Sequence, residues 1–251
     1  MVEGSTLGKA LGILDTLAEA EEPVAFEALH AALGFTRSTL YRYLKTLQDA
    51  GLVTSFPDRG FALGPRVAEL DNRMRRSDPL IAAARPLMAR LAAEWPGVAL
   101  LCRRYRDRVL CVHQEGTLGA DRRSTYERGL AMPLLRGAAS RVILAHLPGP
   151  AVARLLARDA QGFAEAGLGE TPAAVRGALQ AIRKRGWDLT EGQVTAGVTG
   201  IAAPVLEADG GIAGSLSLTL PRPGLSADEA ALVADGLITA AREASRQAGL
   251  A

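Results

Sequence analysis

The sequence predicts an α+β protein in three parts: a winged helix-turn-helix head, a helical connector, and a C-terminal domain in which helices flank an antiparallel sheet. Three observations carry this. Residues 7–63 run helix, helix, turn, helix, hairpin, the order of a winged helix-turn-helix. Residues 98–113 and 198–220 each hold two strand-like runs around a polar turn, with amphipathic helical stretches between and after them. The chain has 251 residues, 48% of them hydrophobic, which is enough for two separate cores.

Each element follows from its spacing. Leu7, Ala10, Leu11, Leu14, Leu17 and Ala18 lie on one face of a helix that Glu21, Glu22 and Pro23 end. Phe26, Leu29, Ala32 and Leu33 mark a short second helix over 25–33, and Gly34 supplies the positive φ of a tight exit. Thr36 is an N-cap for a third helix that Gly51 stops. Val53–Phe56 and Phe61–Leu63 flank Pro57-Asp58-Arg59-Gly60, a turn signal. Residues 65–76 are helical, and Asp78-Pro79 restarts a helix to Glu94, with Pro86 predicting a kink or a boundary inside it. Farther on, the pattern predicts strands over Val98–Arg103 and Arg108–His113, then helices over Pro133–Leu147 and Thr171–Arg185. Strands over Val198–Leu206 and Ile212–Leu220 and a closing helix over Ser226–Arg246 complete the chain. The boundaries are 1–64 for the head, 65–95 for the connector and 96–251 for the C-terminal domain.

Composition narrows the classes. No apolar run approaches the roughly 18 residues of a membrane span. The first twenty residues form an amphipathic helix without the basic start and small-residue cleavage site of a signal peptide, so a cytoplasmic protein with no membrane partner is expected. Two cysteines, Cys102 and Cys111, make no disulfide framework. Charge is uneven although its net is only +2. Residues 1–35 carry one base against six acids, whereas residues 36–76 carry eight bases against four acids. A basic stripe on a near-neutral chain fits a polyanion docking on one face.

The third helix sorts its side chains at 100° steps. Leu40, Tyr43, Leu44 and Leu47 fall on one side, and Ser38, Tyr41, Arg42 and Lys45 on the other. The second set is cationic and rich in hydrogen-bonding groups, the chemistry that reads base edges in a major groove. Thr36, Arg37, Ser38, Thr39, Tyr41, Arg42 and Lys45, with Arg59 at the hairpin tip, make the candidate DNA-contacting set; Arg37 stands near the positive end of the helix, suited to phosphate.

On these residues the chain resembles the IclR family of bacterial regulators. The matching stretches are Gly8-Lys9-Ala10-Leu11-Gly12-Ile13-Leu14, then Thr36 through Leu44, then Phe61-Ala62-Leu63-Gly64-Pro65-Arg66. Met132 through Ser140, Lys184-Arg185-Gly186-Trp187 and Gly197 through Val205 follow in the same order. The resemblance implies a GAF-like effector domain behind the winged helix, homodimers or homotetramers on pseudopalindromic double-stranded operators, and repressor action. It implies an effector pocket from three stretches: Leu134, Arg136, Ala138 and Ala139; Thr190, Gly200 and Ile201; Ser217 and Thr219. Thr190 stands where some members have an acid and Gly200 where some have a cysteine. Both changes remove polar chemistry, which argues against a glyoxylate- or pyruvate-like ligand and for a roomier pocket that takes a larger, aromatic organic acid. Arg136 or Arg104 is a candidate partner for its carboxylate.

Three rivals are weighed against a DNA-binding regulator. An enzyme would draw on Ser140, His146, Glu191 or Cys111, but no Gly-x-Ser-x-Gly motif surrounds any serine and the histidines stand apart. A metal- or thiol-responsive regulator would use Cys102 opposite Cys111, with His113 two residues along the same strand face. A protein-docking module on the same fold is set against by the outward Ser38, Tyr41, Arg42 and Lys45. Neither a catalytic residue nor a resident cofactor is assigned.

Overall fold

The computed structural model describes residues 5–118, 128–221 and 223–250. The chain divides into two compact units, Met1–Arg76 and Ser77–Ala251.

The first unit holds α1 (Thr6–Glu19), α2 (Phe26–Leu33), α3 (Arg37–Asp49), β1 (Val53–Phe56) and β2 (Gly60–Leu63), and α4 (Pro65–Ser77) ends at the division. Its core joins Ile13 and Leu17 of α1, Leu29 of α2, Leu40, Tyr43, Leu44 and Leu47 of α3, and Val53 of β1. Burying each of these aliphatic side chains contributes about 1.5–3 kcal/mol. Gly34 leaves α2 in the left-handed region and its N–H returns to His30 O. Gly51, also left-handed at φ +72°, ends α3 the same way, with Leu52 N–H donating to Leu47 O at 2.9 Å.

β1 and β2 pair in antiparallel register from Val53 opposite Leu63 to Phe56 opposite Gly60. A third segment closes on the hairpin, where Val24 and Phe61 exchange N–H···O bonds of 2.8 and 2.9 Å. This close approach demands glycine at 60, whose φ is +106° and whose added Cβ would lie 2.3 Å from the Val24 carbonyl oxygen.

The second unit is one antiparallel six-stranded sheet in the order β5-β4-β3-β8-β7-β6. Its strands are β3 (Val98–Tyr105), β4 (Arg108–Gly116), β5 (Ala131–Pro133), β6 (Asp188–Glu191), β7 (Thr199–Leu206) and β8 (Ile212–Leu220). Helices α5 (Pro79–Glu94) and α10 (Ala227–Gln247) cover one face. Helices α6 (Ala138–Ala145), α7 (Gly149–Arg158), α8 (Ala160–Glu165) and α9 (Pro172–Arg185) build the core on the other. Alternation along the strands decides which side chain goes where. Ala99 and Leu101 join the α5/α10 core, and Val98, Leu100 and Cys102 the opposite one. Asp78 ties α5 to the sheet: one carboxylate oxygen accepts from Leu80 and Ile81 N–H, and the other takes Arg103 Nη1 at 2.8 Å.

Several expectations need correction. The connector expected over 65–95 divides: α4 buries no side chain, whereas α5 buries Leu80, Ile81, Ala84, Leu87, Met88 and Leu91 in the core of the second unit. α5 itself runs from Pro79 to Glu94 as expected, and of the two readings of Pro86 the boundary is the one the structure lacks. The helix expected over Pro133–Leu147 begins only at Ala138, because Gly137 sits at φ +81°, ψ 148°, where a helix cannot pass. Helices α7 and α8 were not foreseen. Pro148-Gly149-Pro150 reads as a breaker, yet Pro150 occupies the first turn of α7, where proline is tolerated. Among the described residues no helix is long and apolar enough to cross a membrane.

Gly60→Ala is expected to lower the stability of the full chain by more than about 1 kcal/mol, read as an earlier denaturation midpoint in urea. A second expectation concerns His146, at the C-terminal end of α6 with Nδ1 2.9 Å from Val142 O. Burial pushes its imidazole pKa down, and Arg183 pushes the same way. The unfolded chain then takes up a proton more readily than the native one. Stability is lost as pH falls through the ordinary imidazole range, about 6.5, and is unaffected by this group well above it. The fall in Tm between pH 7.5 and pH 5.5 should shrink in His146→Gln.

Candidate functional site

α3 presents the first candidate surface. Thr36 caps it: its Oγ1 accepts from Thr39 N–H at 3.3 Å and lies 2.8 Å from Thr39 Oγ1 and 3.3 Å from Ser38 Oγ. Thr36 and Thr39 are therefore spent on the helix start, and Ser38 shares in that cluster. The apolar side of α3 is buried, while Ser38, Tyr41, Arg42 and Lys45 on the other side are exposed.

Tyr41 of this set and Arg37 beside it are braced by α2. Tyr41, 58% exposed, stacks on Phe26 with ring centroids 4.3 Å apart. Arg37 lies over the same ring at 5.1 Å and holds both carboxylate oxygens of Glu27, at 2.7 and 2.8 Å. The Glu27 hydrogen bonds raise the Arg37 pKa further above its ordinary value. Arg37 is thus held in an exposed ion pair with Glu27 at the start of α3. Arg42 lies 5.4 Å from the Tyr43 ring and is exposed. Arg59 is exposed in the hairpin turn, next to Asp58 at φ +58°.

The second candidate is a cavity on the α6 side of the sheet. Leu100, Gly137, Ala138, Ala139, Thr190, Gln193, Val194, Thr195, Val198, Gly200, Ser217 and Thr219 line it. The sheet places its floor. β8 turns Leu216, Leu218 and Leu220 into the α5/α10 core, so Ser215, Ser217 and Thr219 face α6. Ser215 Oγ donates to Ala139 O at 3.0 Å. Ser217 Oγ is buried with no hydrogen-bond partner among the described residues.

Three ties hold the start of α6 over this floor. Ala138 N–H donates to Thr190 Oγ1 at 3.1 Å, and Gly137 N–H to Gln193 Oε1 at 3.1 Å. Arg141 Nε lies 2.7 Å from Asp188, which Arg185 also reaches at 2.6 Å. Burial raises the Asp188 pKa above the usual carboxylate range, against the pull of both guanidinium groups. Asp188 and Thr190 are both buried residues of β6, so one strand carries the ion pair and the hydroxyl cap.

Of the nine residues carried over by resemblance, Ala138, Ala139, Thr190, Gly200, Ser217 and Thr219 line this cavity. Three do not. Ile201 points to the opposite face and is wholly buried with α5 and α10, because its neighbour Gly200 faces the cavity. Leu134 is buried in the adjoining core. Arg136 lies outside, in a cleft of about 670 Å³, with Nη2 2.6 Å from Gln193 O. Arg104 bonds Arg106 O at the β3–β4 turn and lines none of this cavity. The cavity is also not roomy: it leaves about 40 Å³ for water-sized occupants. A Cβ on Gly200 would stand 3.6 Å from Thr190 Oγ1 and 3.9 Å from Ala138 Cβ, ordinary contact distances, so the glycine opens no more than a methyl group's space beside those two side chains. Gly137, Gln193, Val194, Thr195, Val198 and Leu100 were missed; only the Gly192 and Gly197 punctuation marked that loop.

The cysteine reading meets a β-bulge. Cys102 and Cys111 are Cα partners, but Leu101 pairs with His113, so Val112 is an extra residue that breaks the alternation. His113 therefore does not share a face with Cys111; its Nε2 lies 3.0 Å from Glu115 Oε1, and only its carbonyl oxygen meets Cys111 Sγ, at 3.3 Å. Among the described residues no group of three His, Cys, Asp or Glu side chains is placed to hold a metal ion.

Comparison with known proteins settles the class. The family description "Bacterial transcriptional regulator IclR C-terminal" matches residues 73–246, and "IclR helix-turn-helix domain" matches residues 6–55. The chain belongs to the IclR family. Like its relatives it is a transcriptional regulator, not an enzyme, with a DNA-binding helix-turn-helix domain and a C-terminal ligand-binding domain. It is 30% identical to the glycerol operon regulatory protein of Streptomyces griseus over 239 residues, 95% of this chain and 92% of that one. The crystal structure of an IclR transcriptional regulator from Alicyclobacillus acidocaldarius has the same fold, with a TM-score of 0.80 at 23% identity over 97% of this chain and 98% of that one. An IclR homolog from Microbacterium hydrocarbonoxydans, solved in complex with 4-hydroxybenzoate, matches with a TM-score of 0.77 at 19% identity over 98% of this chain and 100% of that one.

Proposed function

We propose that this regulator is a repressor that docks the exposed side of α3 in the major groove of a pseudopalindromic operator, as a homodimer or homotetramer, and that a small aromatic carboxylic acid in the α6 cavity releases it. The observation that carries the DNA reading is the sorting of α3. Leu40, Tyr43, Leu44 and Leu47 are buried, while Ser38, Tyr41, Arg42 and Lys45 stand together in solvent. Tyr41 and Arg42 meet base edges, Lys45 and Arg59 meet phosphates, and Thr36, Arg37 and Thr39 shape the helix start. Assembly is supported by apolar side chains left exposed in the first unit, Leu7 and Leu11 on α1 and Leu70 and Met74 on α4. One such helix reads too few base pairs to single out a site, so two are required.

The acid reading rests on the cavity's chemistry. Its polar groups are hydroxyls, an amide and the first-turn N–H groups of α6, suited to a carboxylate and a second polar substituent. The bound 4-hydroxybenzoate of the Microbacterium homolog has that composition. A ligand that prefers one arrangement of the effector domain shifts operator affinity by the same coupling free energy.

Arg42→Ala should weaken operator binding by about 1–3 kcal/mol and relax sequence preference at one position, while Lys45→Ala should weaken all duplexes alike and flatten the salt dependence. Operator affinity unchanged in both variants would remove α3 from the interface. For the effector, 4-hydroxybenzoate at one hundred times its Kd should stabilise the protein by about 2.7 kcal/mol, read as a rise in Tm. Ser217→Ala should lose most of that gain, and the absence of any shift with benzoate or 4-hydroxybenzoate would overturn the acid reading.

A further inference from the structure

We propose that Gln193 is an internal stand-in for the effector's carboxylate and the gate between the outer cleft and the inner cavity. The proposal rests on the acid reading above and says how the cavity admits its ligand. Gln193 makes two separate contacts around the start of α6. Its side-chain Oε1 accepts Gly137 N–H at 3.1 Å, and its main-chain oxygen accepts Arg136 Nη2 at 2.6 Å. The amide oxygen thus places partial negative charge at the positive end of the helix, where an anion is favoured.

Gln193 also lines both spaces. It is part of the wall of the inner cavity and of the cleft of about 670 Å³ that holds Arg136, Asp159 and Glu165. The inner space, about 40 Å³, accommodates water but not a ring, since pockets for small organic ligands run to about 300 Å³ or more. A benzoate-sized occupant therefore requires the wall to move, and Gln193 is the wall residue common to both spaces.

An independent observation points to a ligand beneath the gate. Ser217 lines the inner cavity and is only 3% exposed, and its hydroxyl has no hydrogen-bond partner among the described residues. Leaving a buried hydroxyl unsatisfied is unfavourable, and an entering polar group recovers that loss. Gln193 lies in a short loop between β6 and β7. Gly192 at φ +63° and Gly197 at φ +71° bracket it, each with open space where a Cβ would sit, and Gly192 N–H closes its base on Val198 O at 2.9 Å. The carboxylate takes over Gly137 N–H, Gln193 swings aside, and the cleft and cavity become one space.

The test is calorimetric titration of the full-length protein with benzoate and with 4-hydroxybenzoate. Gln193→Ala removes the internal competitor, so affinity for both acids should rise about threefold to tenfold. Gln193→Glu sets a permanent carboxylate against Gly137 N–H, so affinity should fall about tenfold or more. Retained thermal stability in both variants, and the opposite signs, separate gating from damage to the fold. Affinities within twofold of wild type in both variants would overturn the gate while leaving the acid reading intact. Binding in no variant and not in wild type would overturn both, whereas binding that appears only in Gln193→Ala would support the gate.

Discussion

A sheet buried on both faces is the constraint on which the second unit depends. Because α5 and α10 lie on one side and α6 to α9 on the other, the central strands must satisfy two environments by alternation, interrupted where a bulge falls, as at Val112. β8 shows the result most plainly, with leucines at 216, 218 and 220 and hydroxyls at 215, 217 and 219. A one-residue slip would bury three hydroxyls among the α10 alanines and turn three leucines into the cavity. The register that keeps the hydrophobic core intact is therefore also what aims Ser217 at α6.

The first unit solves a different problem, how to hold a short helix firmly while leaving one side bare. Four side chains of α3 enter a core of only eight fully buried hydrophobic residues, so the helix is fixed by a large share of the unit's buried surface. Rigidity on the bare side comes from α2. Phe26 supports both the Tyr41 ring and the Arg37 guanidinium, and Glu27 pins the latter. These contacts are solvent-exposed and each is worth little alone, but together they reduce the side-chain freedom that docking would otherwise remove.

Much of this was legible in the sequence. Leu40, Tyr43, Leu44 and Leu47 recur at helical spacing, and Thr36 and Gly51 punctuate the helix, so α3 and its two sides could be drawn from periodicity alone. β7 and β8 were visible for the same reason, as alternation ending in a Gly-Gly turn. What escaped has physical causes. Helices α7 and α8 begin beside Pro148-Gly149-Pro150 or run only six residues, too little for a period to show. The Val112 bulge, which separates His113 from the cysteines, leaves no trace in residue type. Ile201 and Leu134 were carried with their stretches, and only the face assignment removes them from the cavity. Gln193 lies in a loop, where the partner of a polar side chain is set by a fold that brings residues 137 and 193 together.

The support that Phe26 gives to α3 has an evolutionary side. Its ring lies under two residues of the bare surface without belonging to it. A change at this position would retune the poise of Tyr41 and Arg37 while every side chain on the outward face stayed the same. Relatives that share an identical third helix can thus present a differently braced outward face through the helix before it, and comparing third helices alone would not show that they had diverged.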